Sequence, residues 1–139
     1  MYNFHGETPI YLQLMEVIKG QIAAGKYKPG EKISSIRELA AFYTVNPNTV
    51  QRALMELERE GLLYTRRASG KLVTEDEALI HKLRTNLATA RLETCLAAME
   101  VLGYTPDEMV QLFEQRAALR RKQGGENQEG AQAPTGEAL

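Results

Sequence analysis

The 139-residue sequence contains a single cysteine, Cys95, and no tryptophan. One cysteine excludes an internal disulfide bond, and this scarcity is typical of proteins in a reducing compartment, so a cytoplasmic location is expected. No run approaches the roughly 18 apolar residues of a membrane span. The N-terminus also lacks the basic segment and apolar run of a secretory signal peptide. We therefore expect no association with a membrane.

The sequence equally lacks the motifs of common enzymes and metal sites. His5 and His81 are its two histidines, and neither has neighbouring ligands at a spacing that suits a metal ion. There is no glycine-rich phosphate-binding loop and no candidate catalytic triad. Cys95 is expected to be a buried apolar side chain. The sequence therefore predicts no enzymatic activity, no metal and no cofactor.

Charge is distributed unevenly along the chain, although the formal net charge is only −1. Residues 1–74 contain ten Lys or Arg and seven Asp or Glu, whereas residues 75–139 contain seven and eleven. The basic first part favours nucleic-acid binding by that part. It also holds one acidic run that is predicted to be a solvated helix surface: Glu56, Glu58 and Glu60.

Capping signals predict two helices near the N-terminus. Thr8-Pro9 resembles an N-cap followed by proline in the first turn, and the apolar spacing then predicts a helix over about 9–24. Ser35 and Glu38 form a Ser-x-x-Glu capping box, which predicts a second helix over 36–43.

A third helix is predicted over 47–60, with Asn46 as its N-cap and Pro47 in its first turn. Its apolar face comprises Val50, Ala53, Leu54 and Leu57. Its first turns also carry polar side chains with several donors and acceptors: Asn48, Thr49, Gln51 and Arg52. Spacing alone leaves two interpretations open, because these side chains could be a solvated surface or a surface that reads a partner through hydrogen bonds.

Two extended segments at 62–66 and 71–74 flank a turn-forming run at 67–70, which predicts a β-hairpin. A further short strand is predicted at Lys32-Ile33. Two helices, a tight turn between them and a following hairpin describe a winged helix-turn-helix. The second helix of such a pair fits the major groove, about 12 Å wide, where Asn and Gln bind adenine and Arg binds guanine or phosphate. The hairpin tip would bring further cations to the DNA backbone or minor groove: Arg66, Arg67 and Lys71.

In the second half of the sequence, capping boxes at 74–77 and 105–108 predict two more helices, over about 75–102 and 106–122. They carry more apolar surface than two helices can bury against each other, so we expect a homodimer. The predicted dimer interface comprises Ile80, Leu83, Leu87, Ala90, Leu92, Leu96, Met99, Met109, Leu112 and Phe113. The Gly-, Gln- and Glu-rich residues 123–139 are expected to be disordered.

The predicted fold is therefore mainly α with a small β-hairpin. A winged helix-turn-helix DNA-binding domain over 1–74 precedes a two-helix region over 75–122 for dimerisation or effector binding, and a tail follows over 123–139.

Four segments form a specific combination: P-I-Y-L-Q-L at 9–14, I-A-A-G-K-Y-K-P-G-E-K-I-S-S-I-R-E-L-A at 22–40, V-N-P-N-T-V-Q-R-A-L-M-E-L-E-R-E-G-L-L at 45–63 and T-R-R-A-S-G-K-L-V at 65–73. Together they resemble the N-terminal domain of the GntR family of bacterial transcription regulators, over about residues 8–74. The short two-helix remainder is similar to the YtrA-type subfamily.

The resemblance implies a sequence-specific DNA-binding repressor of an operon related to ABC transporters that includes its own gene. As a homodimer it would place the recognition helix 47–60 in the major groove of a palindromic operator and the wing 66–71 at the minor groove or backbone. An unknown small effector between the C-terminal helices could switch it. The alternative is a winged helix that binds another protein. The full predicted set of DNA-contacting residues is Ser35, Arg37, Asn46, Asn48, Thr49, Gln51, Arg52, Arg66, Arg67, Ser69, Gly70 and Lys71.

Two backbone positions depart from the family. Glycine is common in the family where Thr44 stands in the turn, and Gly-x-Gly is common where Ala68-Ser69-Gly70 stands in the wing. A left-handed backbone at Thr or Ala costs about 1 kcal/mol or more, which favours a different turn and wing geometry. Many members also carry arginine at the positions of Pro47 and Gln51, so a different base sequence is expected.

Overall fold

The computed structural model describes residues 3–127. Its elements in chain order are α1 (Ile10–Ala23), α2 (Ile36–Tyr43), α3 (Pro47–Arg59), β1 (Leu63–Arg66), β2 (Gly70–Val73), α4 (Glu77–Val101) and α5 (Pro106–Asn127). The prediction of a mainly helical chain with one small hairpin is confirmed.

The described residues form two compact units, one that ends at Asn86 and one that begins at Leu87. The first unit therefore includes the first turns of α4 and extends past the predicted boundary at Thr74. The physical reason is apolar packing, because three side chains of α4 lie against the core of the first unit: Leu79, Ile80 and Leu83.

Helix α1 supplies one wall of that core. Its apolar side chains recur every three or four residues and are buried along one face: Leu14, Met15, Ile18 and Ile22. The predicted cap at Thr8 is wrong, because Pro9 occupies the N-cap position and makes no side-chain cap bond. The Gln13 side chain instead folds back and donates from Nε2 to the carbonyl oxygens of His5 at 2.7 Å and Thr8 at 2.6 Å.

The α2 and α3 boundaries agree with the sequence prediction to within one residue. Ser35 Oγ accepts from the Glu38 N–H at 3.1 Å and begins α2. Asn46 Oδ1 accepts from the Asn48 N–H at 2.8 Å and begins α3. The predicted apolar face of α3 is buried as a whole: Val50, Ala53, Leu54 and Leu57.

Thr44 ends α2 in the left-handed region, with φ 54° and ψ 52°. Among residues 3–127 it is the one non-glycine residue with positive φ. The expectation that threonine would favour a different backbone here is therefore wrong. The buried Leu39, Ala40 and Tyr43 before the turn and Val50 after it hold both helices in the core, and this packing outweighs the local strain.

The hairpin is antiparallel, with Leu63 opposite Val73 and Arg66 opposite Gly70. The Ser69 N–H donates to the Arg66 carbonyl at 3.1 Å, and Gly70 follows with φ 82°. A three-residue loop closed by a left-handed residue is a common hairpin connection. This connection needs the left-handed backbone only at Gly70. Ala68 does not have positive φ, so the conformational cost expected for alanine does not arise. Lys32 forms the predicted third, short strand as a single bridge to Leu72.

Helix α4 begins at Glu77, two residues later than its predicted capping box requires. Asp76 Oδ1 accepts from the Leu79 N–H at 3.1 Å, and Thr74 Oγ1 accepts from the Asp76 N–H at 3.1 Å. Asp76 is therefore the cap, because Thr74 is occupied in orienting it.

The capping box of α5 is confirmed, since Thr105 and Glu108 exchange two bonds of 3.1 Å and 3.2 Å. Helix α5 continues to Asn127, five residues beyond its predicted end at 122. Glycine in a helix costs only about 1 kcal/mol, so Gly124 and Gly125 do not end it. The remainder of the tail that was predicted to be disordered lies outside the described residues.

The predicted dimer residues divide into two groups in a single chain. Ile80 and Leu83 pack against the core of the first unit and Met109 is buried, so these three side chains are covered at least in part within one chain. Ala90, Leu92 and Phe113 are exposed, and the others are half-buried: Leu87, Leu96, Met99 and Leu112. Cys95 is exposed, so its predicted burial is wrong. Helix α4 has no fully buried residue, so the described part of the chain leaves its solvent-facing positions uncovered.

Candidate nucleic-acid interface

The first turns of α3 present polar side chains away from the core. Asn48, Gln51 and Arg52 are exposed, and Thr49 is half-buried. The Asn46 side chain caps the helix through Oδ1, which accepts from the Asn48 N–H. Its amide nitrogen can donate to a partner outside the helix. The structure thus places these predicted residues together at one end of α3.

Arg52 stacks on an aromatic ring that belongs to another helix. Its Cζ lies 3.9 Å from the centroid of the Tyr11 ring, on α1. The two side chains border an open depression of about 390 Å³, which is lined by Ile10, Tyr11, Asn48, Thr49 and Arg52. Tyr11 was absent from the predicted site. The spacing of α1 and α3 in the sequence gives no signal for this contact.

The start of α2 contributes Ser35 and Arg37, and both are exposed. Ser35 Oγ already serves as the cap of α2. Arg37 forms no ion pair within residues 3–127, so its guanidinium is available to an external anion.

The wing tip exposes Arg66, Arg67, Ser69 and Gly70. The Arg66 Cζ lies 5.8 Å from the Tyr64 ring centroid, near the outer limit of a cation–π contact. Arg67 has no ion partner in the described part of the chain. The tip therefore presents two cations beside a glycine at which the backbone is uncovered.

The Lys71 side chain forms an ion pair within the protein. Its Nζ lies 2.6 Å from Glu58 Oε2, and Thr65 Oγ1 donates to Glu58 Oε1 at 2.8 Å. The hydrogen bond from Lys71, followed by that from Thr65, holds the pKa of Glu58 below its ordinary value. The Lys71 side chain is only 21% exposed. It ties the wing to α3, a role that the sequence did not reveal.

The acidic surface of α3 is paired throughout. Glu58 pairs with Lys71. Glu60 lies 3.0 Å from Lys19 of α1, and Glu56 lies 3.1 Å from Arg59. The prediction of a simple solvated acidic surface is therefore incomplete. Each of these three carboxylates has a cation beside it.

Other kinds of site find no support in residues 3–127. Within that range no three His, Cys, Asp or Glu side chains are grouped so as to hold a metal ion. None of the helices in the same range combines the length and apolar character needed to cross a membrane.

Comparison with known proteins gives consistent results. The family described as "Bacterial regulatory proteins, gntR family" matches residues 10–73. The chain is 37% identical over 109 residues to YhcF, an HTH-type transcriptional regulator of Bacillus subtilis, and this match covers 78% of the chain and 90% of YhcF. It is 46% identical over 69 residues to the HTH-type transcriptional repressor YtrA of the same organism, and this match spans 50% of the chain and 53% of the repressor.

A solved structure is similar over most of its length. The GntR family transcriptional regulator from Listeria monocytogenes has a TM-score of 0.74 and 37% sequence identity, and the match covers 81% of this chain and 98% of that one. These relatives are transcriptional regulators, which fits the prediction that the chain is not an enzyme.

Proposed function

The chain belongs to the gntR family of bacterial regulatory proteins and is a DNA-binding winged helix-turn-helix regulator, and we propose that it represses an operon by binding a palindromic operator as a homodimer. The observation that carries this proposal is the set of polar side chains at the N-terminal end of α3. Asn48, Gln51 and Arg52 are exposed there, and no carboxylate within residues 3–127 forms an ion pair with Arg52. The carboxylates farther along the helix are each paired with a cation.

In the proposed complex, α3 is the recognition helix and lies in the major groove. Asn48 and Gln51 would bind adenine, and Arg52 would bind guanine or phosphate, because each has the matching pattern of donors and acceptors. Thr49 and the Asn46 amide would complete the surface. Ser35 and Arg37, at the start of α2, would contact the backbone beside it.

The wing would follow the DNA backbone into the neighbouring minor groove. Arg66 and Arg67 supply the charge, and Ser69 and Gly70 form the narrow tip. Lys71 would act indirectly, because its ammonium group is paired with Glu58.

Dimerisation is supported by apolar surface on the second unit. Val101 is 88% exposed and Phe113 is 66% exposed, and surfaces of this kind commonly mark protein interaction sites. Other exposed apolar side chains in this unit are Leu92, Leu102 and Val110. Two copies related by a two-fold axis would bury this surface and read two operator half-sites.

The regulated operon is proposed to contain the chain's own gene and genes of an ABC transporter, as for the YtrA-type subfamily that it resembles. Selection of bound duplexes from a random pool would give the operator, and an electrophoretic shift with the promoter of its own gene would test the autoregulation. A promoter that does not contain the selected motif would contradict it.

The central test of DNA reading is the double variant Arg37→Ala, Arg52→Ala. We expect it to lose most affinity for the selected duplex and to keep its melting temperature, since both side chains are exposed. The matched control is Arg84→Ala, Arg91→Ala, which removes the same charge from exposed positions on α4. Equal binding by both double variants would refute the proposed surface.

A small effector remains a separate proposal. It would bind between α4 and α5 of the second unit and alter the distance between the two DNA-binding domains of the dimer. A thermal-shift screen against metabolites and antibiotics tests it, with the operator duplex present and absent.

A further inference from the structure

Tyr11 lies outside the helix-turn-helix pair, yet its ring is the partner of an arginine on the recognition helix. The Arg52 Cζ is 3.9 Å from the ring centroid, well within the distance at which an aromatic face attracts a guanidinium. We propose that Tyr11 is a positioning residue for DNA reading, which holds Arg52 so that its edge faces a pair of acceptors on the operator. This inference deepens the proposed function and rests on it.

Stacking leaves the binding edge of the guanidinium free. The group is planar, and its five N–H donors point outward in that plane. A distance of 3.9 Å between Cζ and the ring centroid is that of a ring lying against the flat face, where it occupies none of the donors. Those donors match two acceptors side by side, either O6 and N7 of guanine or two phosphate oxygens.

The partner of Arg52 differs from those of other cations near α3. Arg59 pairs with Glu56, Lys19 with Glu60 and Lys71 with Glu58. Arg52 instead contacts a neutral ring and forms no ion pair within residues 3–127. Its side chain lies against the ring, and no carboxylate within that range is paired with it.

Restricting the Arg52 side chain before DNA binds has a direct consequence for affinity. A long exposed side chain loses rotamer freedom when it is fixed at an interface, and this loss weakens binding. The Tyr11 ring restricts the Arg52 side chain before DNA binds, so less rotamer freedom is lost on binding. The ring also borders the depression that Asn48 and Thr49 line, which places the restrained arginine beside the other proposed reading side chains.

The experiment measures a double-mutant cycle with the full-length chain. The probes are the duplex that the wild-type chain selects from a random pool and a scrambled duplex of the same length. Tyr11→Phe keeps the ring and should bind within about two-fold of wild type. Tyr11→Leu removes it and should weaken binding to the selected duplex about 3- to 10-fold.

The decisive comparison is made in the Arg52→Ala background. There, Tyr11→Leu should have no further effect, because the ring acts only through the arginine. If Tyr11→Leu does not fold, Tyr11→Met replaces it, since methionine fills a similar apolar volume. Loss confined to the selected duplex identifies guanine as the acceptor pair, and equal loss on both duplexes identifies phosphate.

The inference is overturned if Tyr11→Leu binds like wild type, or if its effect is the same with and without Arg52. Such a result leaves the proposed function intact, because wild-type binding and the loss caused by Arg52→Ala are measured alongside it. Failure of the wild-type chain to bind any duplex instead refutes the proposed function, and the inference with it.

Discussion

Lys71 Nζ of the wing lies 2.6 Å from Glu58 Oε2 of α3, the proposed recognition helix. Thr65 of the opposite strand reaches the other carboxylate oxygen at 2.8 Å. Two strands of the wing are thereby attached to one side chain of α3. The proposed major-groove and minor-groove contacts belong to elements that are fastened to each other.

The salt dependence of DNA binding should distinguish Lys71 from the other wing cations. The double variant Glu58→Gln, Lys71→Met removes both charges of the pair and leaves the net charge unchanged. We expect the slope of log affinity against log salt to stay the same, because Lys71 neutralises Glu58 rather than a phosphate. Arg67→Ala is the comparison and should reduce the slope by about one. A similar reduction in the double variant would show that Lys71 contacts the backbone.

The pH dependence of stability should carry the signature of Glu58. Its pKa is lowered in the folded chain, mainly by the hydrogen bond from Lys71. Its contribution to stability is therefore complete above the ordinary glutamate pKa of about 4.3 and is lost as the pH falls through the lower folded value. Urea unfolding should show wild type more stable than Glu58→Gln at pH 6, and the difference should vanish near pH 2. A constant difference across this range would be inconsistent with the lowered pKa.

Thr44→Gly should stabilise the chain. Left-handed backbone costs a non-glycine residue about 1–2 kcal/mol, and the greater freedom of glycine in the unfolded chain offsets part of the gain. We expect a net gain of about 0.5–1 kcal/mol and a melting temperature higher by about 2–6 °C. Thr44→Ala retains the left-handed strain and is the control. The explanation fails if alanine and glycine raise the melting temperature equally.

Phe113→Glu should dissociate the proposed dimer. The side chain is 66% exposed in one chain, and a carboxylate buried between two copies would have no partner. Light scattering at micromolar concentration should give the mass of one chain for this variant and of two for wild type. Gln111→Glu adds the same charge at an exposed position of α5 and should remain dimeric. A monomeric wild type would contradict the proposal directly.

Features determined by neighbouring residues were predictable from the sequence. The start of α3 follows from Asn46 and Pro47, and the capping box of α5 follows from Thr105 and Glu108, because each depends on residues at most three positions apart. The hairpin turn was also predicted, whereas its positive φ at Gly70 was not.

Contacts between distant elements were not predictable in this way. Glu58 and Lys71 are 13 positions apart, and each is an ordinary surface residue when read alone. Tyr11 and Arg52 meet only because α1 and α3 share a core. At Thr44 the strain of the left-handed backbone can be read from one residue, whereas the packing of α2 and α3 that outweighs it depends on residues spread over both helices.

The ion pairs of α3 bear on how the protein would respond to ionic strength. Dissolved salt would compete with the arginines of the proposed DNA-binding surface for phosphate, which would weaken binding directly. It also screens exposed pairs such as Glu56 with Arg59 and Glu60 with Lys19. The same ions screen the repulsion between these carboxylates and DNA phosphates, which acts over a longer distance. Salt would therefore release such a protein from the proposed operator to an extent set by its phosphate contacts, and the carboxylates of α3 would add little.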